Sequence, residues 1–226
     1  MYTKAECYGD LQYIIRYPNG YEDGKRYPIL LYLHGAGSRY FTPERTLGTA
    51  FFTETDKYTD LPFITIVPIC AADTWFDVFP SLRELLKLLS AADYADPDRI
   101  YLMGTSMGGY AAWQLAMSLP ELLAAMVPIC GGGMYWNAAR LKNLPIWAHH
   151  GSVDTVVFPE ESRKMVDAVN AAGGNAKLTI YEGVAHPAWI PVFRNPEIFH
   201  WLLSHRRASG ESSAEGNEYN SAEKFG

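Results

Sequence analysis

Short apolar runs alternate with longer helical patterns along nearly the whole chain, and that alternation restricts the fold more than any other feature. The runs are IIRY at 14–17, ILLYLHG at 29–35, FITIVP at 63–68, RIYLMG at 99–104, AAMVPIC at 124–130, PIWAHHG at 145–151 and KLTIYEG at 177–183. Most are too short and too uniformly apolar for surface helices; they suit strands buried on both faces. Between them, SLRELLKLLSAA at 81–92 repeats Leu at helical spacing, and 107–118 forms a second helix candidate. PEESRKMVDAVNAAGG sets Pro159 in a first turn and Gly173 and Gly174 at the end, and a last helix over about 192–206 presents Phe193, Phe199, Trp201 and Leu202. The pattern predicts an α/β fold with a mostly parallel central sheet flanked by helices. The segment between Cys130 and Pro145 is too short for a substantial lid domain, and no repeat or interdomain linker interrupts the chain.

Composition sets the boundaries. Of 226 residues, 48% are hydrophobic and 19% charged, enough to build a sizeable core. No apolar run approaches a membrane span, so a membrane partner is not expected. Nineteen basic against 25 acidic side chains give a formal charge of −6 with no cluster of Lys or Arg, which argues against nucleic acid. Glu211, Glu215, Glu218 and Glu223 against Lys224 place −3 of that charge in residues 208–226. That segment is expected to be a disordered acidic tail, because it has too little apolar surface to offset the entropy of ordering. Residues 1–207 are then the folded domain. Cys7, Cys70 and Cys130 show no metal-binding spacing. MYTKAECYGD is not a secretory signal, so the expected location is the cytoplasm unless a leader has been removed.

The sharpest local signal is Gly104-Thr105-Ser106-Met107-Gly108, directly after a strand-like run and directly before a helix. Small residues beside Ser106 permit the strained strand-to-helix turn that lifts a hydroxyl above the sheet edge. The helix that follows points its N-terminus at the same place. A serine hydroxyl is a weak nucleophile and needs a base, itself oriented by a carboxylate. Both are expected on loops at the carboxyl ends of later strands. Gly151-Ser152-Val153-Asp154 follows one such run and Val184-Ala185-His186 follows the next, giving the chain order Ser106, Asp154, His186.

The competing residues fit less well. His34 precedes the nucleophile and is expected to brace its own loop. His149 and His150 are adjacent on a strand, so they face opposite sides of the sheet and cannot both serve one site or one metal. His200 and His205 fall on the terminal helix, and Glu182 lies on the same strand end as His186. A tetrahedral oxyanion needs two donors. The Met107 amide is one, and the turn His34-Gly35-Ala36-Gly37 supplies the Ala36 amide as the other.

LHGAGSR, DPDRIYLMGTSMGGYAAWQLA, VPICGGG, HHGSVDTVV and GVAHPAW, in this order, resemble the α/β-hydrolase superfamily. The match is nearest to its compact esterases related to feruloyl and acetylxylan esterases and polyhydroxybutyrate depolymerases, a branch also labelled peptidase- or phospholipase-like. The resemblance spans roughly residues 10–206. It implies a serine-dependent carboxylic ester hydrolase with Ser106, Asp154 and His186 as triad, Ala36 and Met107 as oxyanion hole, and neither metal nor organic cofactor. Many relatives carry a polar residue straight after the histidine; Pro187 stands there in this chain.

Aromatic residues make up 14% of the chain, and Trp75, Phe76, Tyr135, Trp136 and Trp189 fall near strand ends, where flat walls could receive an aromatic acyl group or a sugar. Arg39 is a candidate contact for a polar or acidic substrate group. Short-chain or aromatic acyl esters are the expected substrates, including feruloyl or acetyl esters of plant polysaccharides. A serine peptidase or thioesterase would use the same residues. A binding module that had lost the reaction would have no need of all three.

Overall fold

In the computed structural model, residues 2–207 are described, and the expected acidic tail at 208–226 lies outside them. Eight strands form one sheet: β1 (Tyr2–Tyr8), β2 (Leu11–Tyr17), β3 (Tyr27–Leu33), β4 (Ile64–Pro68), β5 (Ala95–Thr105), β6 (Ala125–Ile129), β7 (Ile146–Gly151) and β8 (Ala176–Tyr181). Their spatial order is β1-β2-β4-β3-β5-β6-β7-β8. The first two strands run antiparallel to their neighbours, and every pair from β4 across to β8 is parallel. Helices α1 (Pro43–Leu47), α2 (Ala50–Thr55), α3 (Phe79–Ser90), α4 (Met107–Ser118), α5 (Pro159–Ala171), α6 (Trp189–Phe193) and α7 (Pro196–Leu203) cover both faces.

Two apolar clusters, one on each face, follow from the alternation of side chains along the strands. On β3, Ile29, Leu31 and Leu33 join one cluster, whereas Leu30 and Tyr32 join the other. The first is closed by α3, α4 and α5. Leu82, Leu85, Leu86 and Leu89 of α3 recur at helical spacing and are all buried, each contributing roughly 2 kcal/mol of burial. Helix α4 is apolar around most of its circumference, with Ala111, Ala112, Trp113, Leu115 and Ala116 all buried.

Two expectations are refined. The edge strand β1 has no counterpart among the apolar runs, since TKAEC alternates and its residues are only half-buried or exposed. The single helix expected over about 192–206 is two, because Asn195 caps a new start with its side chain on the Glu197 amide and Pro196 cannot continue the preceding turn. Between β6 and β7 the chain makes only a 3₁₀ turn (Tyr135–Leu141), so no lid stands over the sheet among the described residues.

Candidate active site

The parallel register brings the key strand ends level. Leu33 pairs with Gly104, Thr105 with Ile129, and Gly151 with Tyr181, so the segments following β3, β5, β6, β7 and β8 emerge along one edge. Ser106 sits at φ 54° and ψ −119° between β5 and α4, a conformation that costs a non-glycine residue of order 1–3 kcal/mol. Close packing explains the glycines beside it. A Cβ on Gly104 would lie 2.1 Å from the Gly108 carbonyl oxygen, and one on Gly108 would lie 2.1 Å from that of Leu33. The helix start therefore presses directly on the sheet, which fixes the height of the Ser106 hydroxyl.

His186 Nε2 lies 2.9 Å from Ser106 Oγ, and its Nδ1 lies 2.7 Å from Asp154 Oδ2. The loops bearing the two partners are fastened together: the Ser152 and Val153 amides donate to the carbonyls of Tyr181 and Val184, and the Gly183 amide donates to Ser152 Oγ. A Cβ on Gly151 would lie 2.2 Å from the Val184 carbonyl oxygen, so this junction tolerates no larger residue without movement. Asp154 is almost wholly buried. Burial pushes its carboxyl up, but hydrogen bonds from His186 and from the Val157 and Val156 amides outweigh it, holding the group below the usual carboxylate range.

Ala36 opens a 3₁₀ turn (Ala36–Ser38) after β3, and Met107 opens α4; as first residues of their turns, neither amide has an acceptor within its own helix. The Ala36 turn is braced from below. His34 Nδ1 donates to the Gly35 carbonyl at 2.8 Å, and its Nε2 accepts from the Cys70 amide at 3.1 Å. Burial lowers the His34 pKa to about 4, so the ring stays neutral in this role. Trp75 Nε1 donates to the His34 carbonyl, and Arg39 donates to the carbonyls of Ala36 and Asp73.

A cleft of about 360 Å³ opens over Ser106. Its walls include Tyr32, Phe51, Val156, Trp189 and Phe193, and the Trp189 ring meets His186 edge-on at 5.3 Å. Trp75, expected on the rim, is instead fully buried: its indole N–H is drawn to the His34 carbonyl and its rings fill the core beside α3. Arg39 is committed to two backbone carbonyls and supports the turn. Trp136 is exposed on the 3₁₀ turn after β6, outside the cleft lining. Of the four side chains expected to meet substrate, only Trp189 borders the cleft.

Cys130 Sγ, Asp154 and His186 place ligand-type atoms within 4.8 Å of one another. Burial pushes the Cys130 thiol up to about 12, and the other two members are already hydrogen-bonded to each other. The donor set is thus poorly suited to a resident metal ion.

One partner of the site had no clear sequence signal. His150, buried on β7, has Nε2 3.2 Å from Asp154 Oδ2. The spacing HHGSVD puts a histidine four residues before the acid, but only the return of the loop over β7 brings them together.

Residues 71–191 match the dienelactone hydrolase family. Among solved structures, a thermostable esterase is 30% identical with a TM-score of 0.79; the match covers 91% of this chain and 63% of that one, so the chain spans less than two thirds of that esterase. Est1E from Butyrivibrio proteoclasticus is 13% identical with a TM-score of 0.68, covering 89% of this chain and 99% of that one. The feruloyl esterase module from Clostridium thermocellum, complexed with sinapinate, is 16% identical with a TM-score of 0.70, covering 89% and 86%. A search of curated proteins finds no match. The fold is that of the α/β-hydrolases, as the sequence motifs predict.

Proposed function

The chain belongs to the dienelactone hydrolase family, and from that premise we propose that it is a carboxylic ester hydrolase working through Ser106, His186 and Asp154. The observation that carries this reading is the continuous hydrogen-bonded line from Ser106 Oγ through the His186 ring to Asp154 Oδ2, at 2.9 and 2.7 Å. His186 Nε2 takes the serine proton as Oγ adds to the ester carbonyl. The resulting oxyanion is received by the amides of Ala36 and Met107. Collapse of the tetrahedral intermediate expels the alcohol, protonated by His186, and leaves an acyl group on Ser106. Water, deprotonated by His186, then adds to the acyl carbonyl and releases the acid. Asp154, kept ionised by its donors, holds the Nδ1–H tautomer and stabilises the imidazolium.

The substrates are esters of a short or flat aromatic acyl group, accessible as small molecules or as polysaccharide-linked esters. The aromatic wall of the 360 Å³ cleft supports that choice. So does the lack of a lid among the described residues. No described helix is long and apolar enough to cross a membrane.

Two measurements test the reading. Ser106→Ala should lower hydrolysis of a short p-nitrophenyl ester by about 10⁴-fold or more and abolish fluorophosphonate labelling. Retained turnover would refute the assignment. An ester panel of acetyl, butyryl, octanoyl and feruloyl acids, run beside peptide p-nitroanilides, should favour the acetyl and feruloyl esters over the octanoyl ester and the anilides. Equal response to all acyl groups would refute the substrate class.

A further inference from the structure

We propose that His150 is a positioning residue that holds Asp154 for His186. The inference rests on the triad reading above. His150 lies on β7 with its side chain directed away from His149 and toward α5, fully buried. Its Nδ1 is 2.8 Å from Ser162 Oγ, and its Nε2 is 2.9 Å from the Val157 carbonyl oxygen and 3.2 Å from Asp154 Oδ2. A carbonyl oxygen can only accept, so Nε2 carries the proton whatever the Ser162 hydroxyl does. That proton goes to the Val157 carbonyl, and the positive N–H edge of the ring lies beside Oδ2.

Asp154 is thereby gripped on both oxygens. Oδ1 accepts from the Val156 and Val157 amides at 2.9 and 3.0 Å. Oδ2 accepts from His186, and the His150 Nε2–H, bonded to the Val157 carbonyl, lies against it at 3.2 Å. Without His150, only His186 would set an N–H against Oδ2, and that ring changes charge during each turnover. A buried carboxylate that loses a neighbouring N–H dipole also bears a larger desolvation cost, which reorientation would relieve. The brace reaches further, because Ser162 Oγ also lies 2.8 Å from the Gly131 carbonyl oxygen, and Gly131 packs on Gly109 at the start of α4 so tightly that a Cβ would lie 2.6 Å from the Gly109 backbone. The acid loop, β7, α5 and the nucleophile helix thus share one fixed frame.

The titratable groups facing this cluster are His186 from the loop after β8, Cys130 at the end of β6, Tyr110 on α4 and Glu161 on α5. The thiol and the phenol are pushed up by burial. Removing the His150 N–H dipole beside Oδ2 leaves Asp154 more basic and tightens its hold on protonated His186, so the acid limb of activity moves to higher pH. A residue that only fills space would not move it.

The test uses the whole chain, a p-nitrophenyl ester and active-site counting by a fluorophosphonate. His150→Leu should lower kcat per titrated site by about 10–100-fold with KM within about 2-fold, as expected when a triad member is misplaced by a fraction of an ångström. The acid-limb midpoint of kcat/KM should rise. His150→Gln, whose amide N–H reaches the place of Nε2, should recover most of the rate and the original midpoint. If His150→Leu does not fold, His150→Asn replaces it, since its shorter amide pairs with Ser162 but falls short of Oδ2. Wild-type kcat, or a lower kcat with an unmoved midpoint, overturns the proposal. Asp154→Asn separates the two readings: full activity there overturns the triad itself, whereas an inactive Asp154→Asn beside an indifferent His150 variant overturns only the role of His150.

Discussion

His149 and His150 are neighbours on one strand, equally buried, and they do opposite things. His149 points into the cluster closed by α6 and α7, stacked near Tyr181 and beside Trp147, with Nδ1 3.1 Å from the Tyr181 hydroxyl. Its Nε2 is buried without a hydrogen-bond partner, and burial lowers its pKa to about 3. His150 points toward α5, where both nitrogens find partners and one of them is Asp154. Burial alone therefore says nothing about use. What differs is the loop that returns over each face: the segment after β7 folds back on the α5 side only, carrying the carboxylate with it.

Three variants break or sharpen that contrast. Asp154→Asn should have the largest effect, about 10³–10⁴-fold in kcat, because the amide favours the wrong imidazole tautomer. A loss under 10-fold in ester turnover would remove the functional meaning of the α5 face. Gly151→Ala attacks the hinge between the histidines and the acid. Its Cβ would meet the Val184 and Ala185 carbonyl oxygens at 2.2 and 2.4 Å, forcing the acid and base loops apart. About 100-fold lower kcat/KM and a melting point several degrees lower are expected, and unchanged kinetics would show that the loops can shift freely.

The third variant concerns stability. His149 is neutral in the fold with a pKa of about 3, against an ordinary value of 6.5. Between those values the unfolded chain takes up a proton that the folded chain refuses, so stability falls as pH drops from 6.5 toward 3. His149→Phe removes that contribution, and urea unfolding followed by circular dichroism from pH 7 to 4 should show a shallower loss than wild type; an equal slope would contradict the buried neutral ring. His34, lowered to about 4, keeps its own share of the slope in both proteins. The smallest effect is on catalysis: His149→Phe should leave kcat within about 2-fold, as expected of a residue remote from the reacting atoms. A large loss would erase the contrast between the two faces.

Legibility in the sequence tracked how local each cause was. The elbow at Ser106 was readable because strand, glycines and helix are contiguous, and His186 because chain order and strand-end position leave little choice. His34 was readable as a brace, since its loop is its own surroundings. Trp75 was not, because whether a tryptophan after a strand turns in or out depends on a carbonyl acceptor 41 residues away. Strand β1 is faint in the sequence for the same reason: its pattern is weak, and its place is decided by pairing with β2.

By itself, then, the chain determined the α/β alternation, the strained turn at Ser106, and which serine, acid and histidine stand at strand ends in order. Those follow from short-range sterics and from the period of apolar residues, which every segment carries within itself. Only the tertiary structure decided which aromatic residues face the cleft and which of two adjacent histidines meets the carboxylate. Those outcomes depend on loops packing across the sheet edge, where a single face-to-face choice separates a ring that merely fills the core from one that touches Asp154.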